Sequence, residues 1–227
     1  MIKIGIPVFP GSNCDKDINY VFSNIYKVKT DLIWHTKDKI SDYSAIIIPG
    51  GFSYGDRLRG GIIAAHSPII KEIKRLAKEG TPILGICNGF QILVESQLLP
   101  GSLISNDSLK FVCKWIDIQV VQNDTLFTKS FKKKQIIRIP LAHAEGRYVV
   151  PDSEFREMKK NKQIVFTYYR DNPNGSLEGI AGVINRSGNV MGMMPHPERT
   201  CQNEMAVLGL KTTAMKIFES MINYLKK

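Results

Sequence analysis

Cysteine is scarce: four in 227 residues, none in a Cys-x-x-Cys pair, so the sequence offers neither a disulfide framework nor a thiolate zinc site. Long hydrophobic runs are missing too. No stretch is long enough to span a bilayer, and Met1-Ile2-Lys3-Ile4-Gly5 lacks the order of a signal peptide. A cytoplasmic setting is expected, in which Asn174-Gly175-Ser176 is a chance glycosylation match. Acidic side chains are short against basic ones, 21 to 31, for a net charge of +10. Such a balance suits an anionic partner, and Lys132-Lys133-Lys134 and Lys159-Lys160 concentrate it. Those clusters have no interleaved aromatics, and neither a helix-turn-helix nor an RNA-binding signature accompanies them. Solvated lysine surface is therefore preferred to nucleic-acid binding. Repeats, low-complexity tracts and Ser/Pro-rich linkers are absent, so residues 1–227 read as one domain with an ample core.

What is present alternates. Ile2 to Val8 is a short apolar run; turn residues Pro10-Gly11-Ser12-Asn13 follow, and Ile18, Val21, Phe22 and Ile25 then recur at helical spacing. Val28 to Trp34 reads as a strand, and Ala45-Ile46-Ile47-Ile48 as one buried on both faces, as in a parallel sheet. Pro68 to Lys78 predicts a helix with Ile69, Ile70, Ile73, Leu76 and Ala77 on one face, ended by Gly80. This half is expected to be a flavodoxin-like, doubly wound, mainly parallel α/β sheet, with ligands outside the carboxyl ends of its strands. The second half is expected to be β-rich, from Phe111 to Val121, Ile136 to Leu141, Ile164 to Tyr169 and Ile180 to Ile184. Arg186-Ser187-Gly188-Asn189 should close a hairpin into Val190 to Met194, and Ala206 to Tyr224 should form a closing helix using Leu210, Met215, Ile217, Phe218 and Met221.

The chain's centre is Gly85-Ile86-Cys87-Asn88-Gly89-Phe90-Gln91, between an apolar run and a helical stretch. Gly-x-Cys-x-Gly is the thiol counterpart of the strained strand-turn-helix elbow that thrusts out a nucleophile. At a helix N-terminus the dipole and unpaired N–H groups favour thiolate. On the pentapeptide alone, a buried cysteine with glycine neighbours is an equal reading. A thiol needs a base, and His196 follows a strand end; Pro197 biases it towards extended backbone, which turns Glu198 to the same side. Taken alone, His196 is a turn histidine and Glu198 a surface charge. Together with the elbow they compose a triad Cys87, His196, Glu198. The oxyanion donors are the N–H groups of Asn88, directly after the nucleophile, and Gly51, in the glycine-rich loop after a neighbouring strand. No Gly-Lys-Ser/Thr follows that loop, which argues against a phosphate cradle. Gln91, one helical turn past Cys87, is either a substrate ligand or an exposed helix residue.

Five segments carry a resemblance: Pro10 to Asp15, Pro49 to Asp56, Gly85 to Gln91, Ala142 to Tyr148 and Met193 to Arg199. Together they resemble class I glutamine amidotransferases, within them the glutaminase subunits of phosphoribosylformylglycinamidine synthase, a purine-biosynthetic enzyme. The resemblance implies that Cys87 attacks the glutamine side-chain amide, Gly51 and Asn88 hold the oxyanion, and His196 protonates departing ammonia. A glutamyl thioester is then hydrolysed, and ammonia passes to a synthetase subunit that binds ATP, magnesium and formylglycinamide ribonucleotide. A small accessory subunit is a further expected partner. This chain should need neither cofactor nor metal. Gln91, Tyr54 and His143 are the candidate substrate-binding residues; the resemblance places the loop of His143 and Glu145 near the glutamine pocket or the subunit interface, a structural role for His143 is an equal reading, and the two residues by spacing alone make no metal site. Two rival readings are a stand-alone cysteine hydrolase on the same scaffold and a relic scaffold that binds a partner or RNA.

Overall fold

The computed structural model describes residues 1–40, 43–201 and 213–227. Strands and helices first alternate: β1 (Lys3–Val8), α1 (Asp15–Tyr20), β2 (Lys29–Trp34), β3 (Ala45–Ile48), α2 (Pro68–Lys78), β4 (Ile83–Ile86) and α3 (Asn88–Glu95). Strands then dominate: β5 (Ser102–Ser105), β6 (Val112–Val120), β7 (Ile136–His143), β8 (Glu145–Val149), α4 (Asp152–Lys160), β9 (Ile164–Tyr168), β10 (Ile180–Ile184), β11 (Val190–Met193) and α5 (Lys216–Leu225). A nine-stranded sheet runs β2-β1-β3-β4-β11-β10-β9-β6-β7, while β5 and β8 pair separately. From β2 to β11 all neighbours are parallel, and from β11 to β7 all are antiparallel.

The central strands need cover on both faces, and every residue of β3, β4 and β11 is buried. Edge strand β2 instead buries Ile33 and leaves Leu32 and Trp34 half exposed. Helix α2 buries the five apolar residues expected of it; Pro68 sits at its first turn, where a missing N–H costs nothing, and Gly80, with φ +88°, follows its end. Because β1 lies between β2 and β3, the winding reverses there and a crevice opens at the carboxyl ends of β1, β3, β4 and β11. The hairpin expected at Arg186–Asn189 joins β10 to β11. Helix α3 starts at Asn88, three residues before the expected helical stretch, since Cys87 itself occupies the N-cap. Strands β5 and β8 and helix α4 were not foreseen; α4 buries only Met158, so it carries no apolar stripe. In the expected closing helix, Ile217, Phe218 and Met221 are buried on α5, whereas 206–212, with Leu210, lie outside the described residues.

Candidate active site

Cys87 occupies the turn between β4 and α3 with φ +51° and ψ −106°, a conformation that an L-residue adopts only under constraint. The constraint is crowding: a Cβ at Gly89 would overlap the Ile48 carbonyl, and one at Gly85 would lie 2.6 Å from the Gly89 oxygen. The Cys87 N–H donates to Met193 O at 2.8 Å, which ties the elbow to β11. Its thiol donates to the Ala142 carbonyl at 3.6 Å. As the first helical residue, Asn88 has a backbone N–H without an intrahelical acceptor.

His196 lies three residues beyond β11, its N–H donating to Pro140 O at 2.9 Å. Its Nδ1 is 2.6 Å from Glu198 Oε1, both side chains are buried, and Nε2 has no partner among the described residues. Burial pushes the imidazole pKa down, but Glu198 and then Cys87 and Cys14 outweigh it, leaving it well above the usual histidine range. The ring is therefore poised as imidazolium. Cys14, at the start of α1, places Sγ 4.0 Å from His196 Nδ1 and accepts from Arg199 Nη2 at 3.1 Å. A Cβ at Gly50 would stand 2.8 Å from His196 Cε1, 3.3 Å from Cys14 Sγ and 3.4 Å from Cys87 Cβ, so glycine lets the three groups converge. Cys14, His196 and Glu198 each offer one ligating atom within 4.8 Å of the others. Glu198 already engages Nδ1 as a hydrogen-bonded pair, so the group is organised for proton transfer.

Gly51, with φ +141°, forms an isolated antiparallel bridge with Ser12. The bonds that close it run from Phe52 N–H to Gly11 O (2.9 Å) and from Asn13 N–H to Gly50 O (3.3 Å), which leaves the Gly51 N–H off the ladder. Gly51, Cys87 and His196 share a cavity of about 220 Å³, flanked by Phe52, Phe111 and Cys113. The rings of Phe52 and Phe111 stand 6.3 Å apart, both half exposed.

The three residues expected to bind substrate lie off this cavity. Gln91 is buried: Oε1 accepts from Asn88 Nδ2 (2.8 Å) and Nε2 donates to Glu145 O (2.7 Å), which leaves one N–H and one oxygen lone pair beyond these bonds. The Tyr54 hydroxyl is 3.1 Å from His35 Nδ1, with the two rings edge to face. His143 turns Nε2 towards Asn174 Nδ2 (3.4 Å), and burial, reinforced by the charge of His196, pushes its pKa down to about 4. Glu145 accepts from Gly60 N–H, so it does not share a ligand position with His143. The sequence reading assigned no role to Cys14 or Arg199, although both lie in the quoted motifs, nor to Phe111, Cys113 and Ala142. The residue-two spacing of Phe111 and Cys113 puts both on one side of an extended segment, but only the fold brings that side to Cys87.

A strained cysteine elbow and a buried His–Glu pair on a doubly wound sheet are the parts of a thiol acyl-transfer site. The chain belongs to the glutamine amidotransferases, matching the family described as "CobB/CobQ-like glutamine amidotransferase domain" over residues 1–225. It is 44% identical over 234 residues, 100% of both chains, to phosphoribosylformylglycinamidine synthase subunit PurQ of Koribacter versatilis. The structure of PurLQS from Thermotoga maritima superposes with a TM-score of 0.87 at 46% identity, covering 99% of each chain. The glutaminase domain of Trypanosoma brucei CTPS, at 16% identity and TM-score 0.60 over 100% of this chain and 95% of that one, shares the fold.

Proposed function

We propose that this chain is the glutaminase subunit of phosphoribosylformylglycinamidine synthase. It hydrolyses glutamine to glutamate and ammonia and hands the ammonia to a synthetase subunit, which uses ATP to convert formylglycinamide ribonucleotide to formylglycinamidine ribonucleotide in purine biosynthesis. The observation that carries this reading is the convergence of Cys87 and His196 on one small cavity, with Glu198 bonded to His196 behind it, in a chain alike to PurQ from end to end. Cys87 turns from the Ala142 carbonyl towards His196 Nε2, the imidazolium holding the proton that the thiol has given up, and the thiolate attacks the glutamine amide carbon. The Gly51 and Asn88 N–H groups receive the oxyanion, and the imidazolium protonates the leaving nitrogen as the C–N bond breaks. Water, deprotonated by His196, then cleaves the thioester to release glutamate. Glu198 holds Nδ1 and balances the charge throughout.

The whole of 1–227 serves as one glutaminase domain. It needs no cofactor of its own, ATP and magnesium acting on the synthetase, with a small accessory subunit in the same complex. Among the described residues no helix is long and apolar enough to cross a membrane, and we place the protein in the cytoplasm. The test is glutamate release from glutamine by the purified chain, with and without synthetase, ATP and formylglycinamide ribonucleotide. Cys87→Ala is expected to abolish release and glutamine-dependent synthesis while synthesis from added ammonia persists. Loss of both syntheses would contradict the division of labour.

A further inference from the structure

Cys14, His196 and Glu198 bring together more than the reaction uses. Catalysis engages His196 Nε2 and the bond between Nδ1 and Glu198 Oε1, whereas Cys14 Sγ faces the ring with no step to perform. Glu198 Oε2 is likewise unused: it is buried and has no hydrogen-bond partner among the described residues. A carboxylate oxygen left bare in the interior is costly, and a donor or a cation beside it removes the cost. All three side chains are buried, and one atom from each lies within 4.8 Å of the others. Sequence alone does not show the group, because Cys14 and His196 stand 182 positions apart.

A thiolate, an imidazole and a carboxylate are donors that zinc accepts together, with a fourth position left for water. In a tetrahedral site with bonds of about 2.0–2.3 Å, neighbouring donors stand about 3.3–3.8 Å apart. Cys14 Sγ is 4.0 Å from His196 Nδ1, so that edge is nearly formed. His196 Nδ1 and Glu198 Oε1 are closer, 2.6 Å apart, because a proton holds them together. With the ion in the proton's place, the carboxylate has to withdraw by about 0.7 Å. Space exists where sulfur and ring meet: Gly50 has no side chain, and a Cβ there would stand 3.3 Å from Cys14 Sγ and 2.8 Å from His196 Cε1. Arg199 Nη2 donates to Cys14 Sγ at 3.1 Å, the kind of contact that orients a ligating sulfur. Thiolate and carboxylate cancel the two charges of the ion, as a buried site requires. Cys14 and His196 both line the cavity of about 220 Å³, which gives the ion a way in.

We propose that Cys14 Sγ, His196 Nδ1 and the Glu198 carboxylate form an inhibitory zinc site that silences the triad reversibly. Zinc displaces the Cys14 thiol proton and the proton shared by Nδ1 and Glu198. With the metal on Nδ1, the ring keeps its single proton on Nε2 and can take none from Cys87. Zinc is here an inhibitor and not a cofactor. The site stands on the geometry of its ligands; its effect on turnover rests on the glutaminase reading above.

The experiment begins with binding by the full chain, with Cys113 and Cys201 replaced by serine so that only Cys14 and Cys87 can supply sulfur. Cobalt(II), a spectroscopic stand-in for zinc, should give a sulfur-to-metal charge-transfer band in this protein and equally after Cys87→Ser, where Cys14 is the one thiol left. No band after Cys87→Ser, or a band that survives Cys14→Ser, overturns the proposal. Zinc itself, competed against a chromophoric chelator, should bind at least about hundredfold more weakly in Cys14→Ser and in Glu198→Gln. Each loses a ligand, where loss of a supporting contact alone costs about 10–100-fold. Affinity unchanged in either variant also overturns it. The second arm measures glutamate release by the reconstituted synthetase complex. Zinc should inhibit the wild type and a chelator restore it, with Cys14→Ser needing at least about tenfold more zinc for half inhibition; equal sensitivity counts against the site. Wild-type complex that releases no glutamate when free of zinc, with binding behaving as required, would refute the glutaminase reading and leave the zinc site standing.

Discussion

Glu198 is the residue on which His196 depends. Fully buried carboxylate and imidazole 2.6 Å apart give each other the counter-charge that water would otherwise supply. The folded chain holds the His196 proton to a higher pH than the unfolded chain does. Between the ordinary value of about 6.5 and the raised one, the folded state binds more protons. The pair's contribution to stability is therefore complete below about pH 6.5 and is lost as pH rises through the folded value. Glu198→Gln keeps the shape and removes the charge. It is expected to cut kcat at least about hundredfold, as loss of a triad's acid does. It should also flatten the decline in stability above pH 6.5 and move the alkaline limb of the glutaminase profile to lower pH. Urea unfolding and pH–rate profiles of the two proteins check this; coincident alkaline limbs would mean that Glu198 does not set the imidazolium. At this scale the triad was legible because its three residues announce themselves locally, by glycines about Cys87 and by the i, i+2 relation across Pro197. The surroundings of Gln91 were not: its Nε2 donates to the Glu145 carbonyl, which arrives from 54 residues away. The Tyr54 hydroxyl likewise meets a partner that local sequence does not show, His35 in the loop after another strand.

The elbow glycine Gly89 differs in kind from Gly80, which follows the end of α2, and the difference is measurable. At Gly89 a side chain would meet backbone, the Ile48 carbonyl, which cannot move without disturbing β3. At Gly80 a side chain would meet nothing within 4 Å, but φ is +88°. Gly80→Ala should therefore cost only the left-handed penalty, about 1 kcal/mol, and leave glutaminase activity intact. Gly89→Ala should cost more, about 2–3 kcal/mol, and depress activity as well, because α3 can escape the clash only by shifting away from β3 and taking Asn88 with it. Chemical unfolding midpoints and kcat of both variants decide it; equal losses would show that crowding does not define the elbow. The same contrast explains which elements could be read in advance. Strands β3 and β4 and helix α2 carry continuous or periodic apolar residues whose meaning is local. Strands β5 and β8 have only each other to pair with, and α4 is charged along most of its length, so their structure is decided by neighbours and not by pattern.

In the whole molecule the decisive fact is where the end of the chain goes. Strand β11 enters between β4 and β10, so the parallel and antiparallel halves meet on a strand that is among the last to be synthesised. It also delivers His196 to a cysteine 109 positions earlier in the chain, and its Met193 carbonyl holds the elbow's N–H. Neither half can bury its innermost strand without it. Unfolding should thus be one cooperative event over the entire sheet and not two, despite a length at which division into separate units is common. The two tryptophans test this directly, because Trp34 lies on edge strand β2 and Trp115 on β6, one strand from the opposite edge. Single-tryptophan proteins made by Trp34→Phe and Trp115→Phe should each show one fluorescence transition in urea, superimposable on that protein's own far-UV circular dichroism and loss of glutaminase activity. If the Trp34 signal melted at a different denaturant concentration from the dichroism, the parallel half would be an independent unit, and β11 would be docked onto it instead of binding the two halves into one.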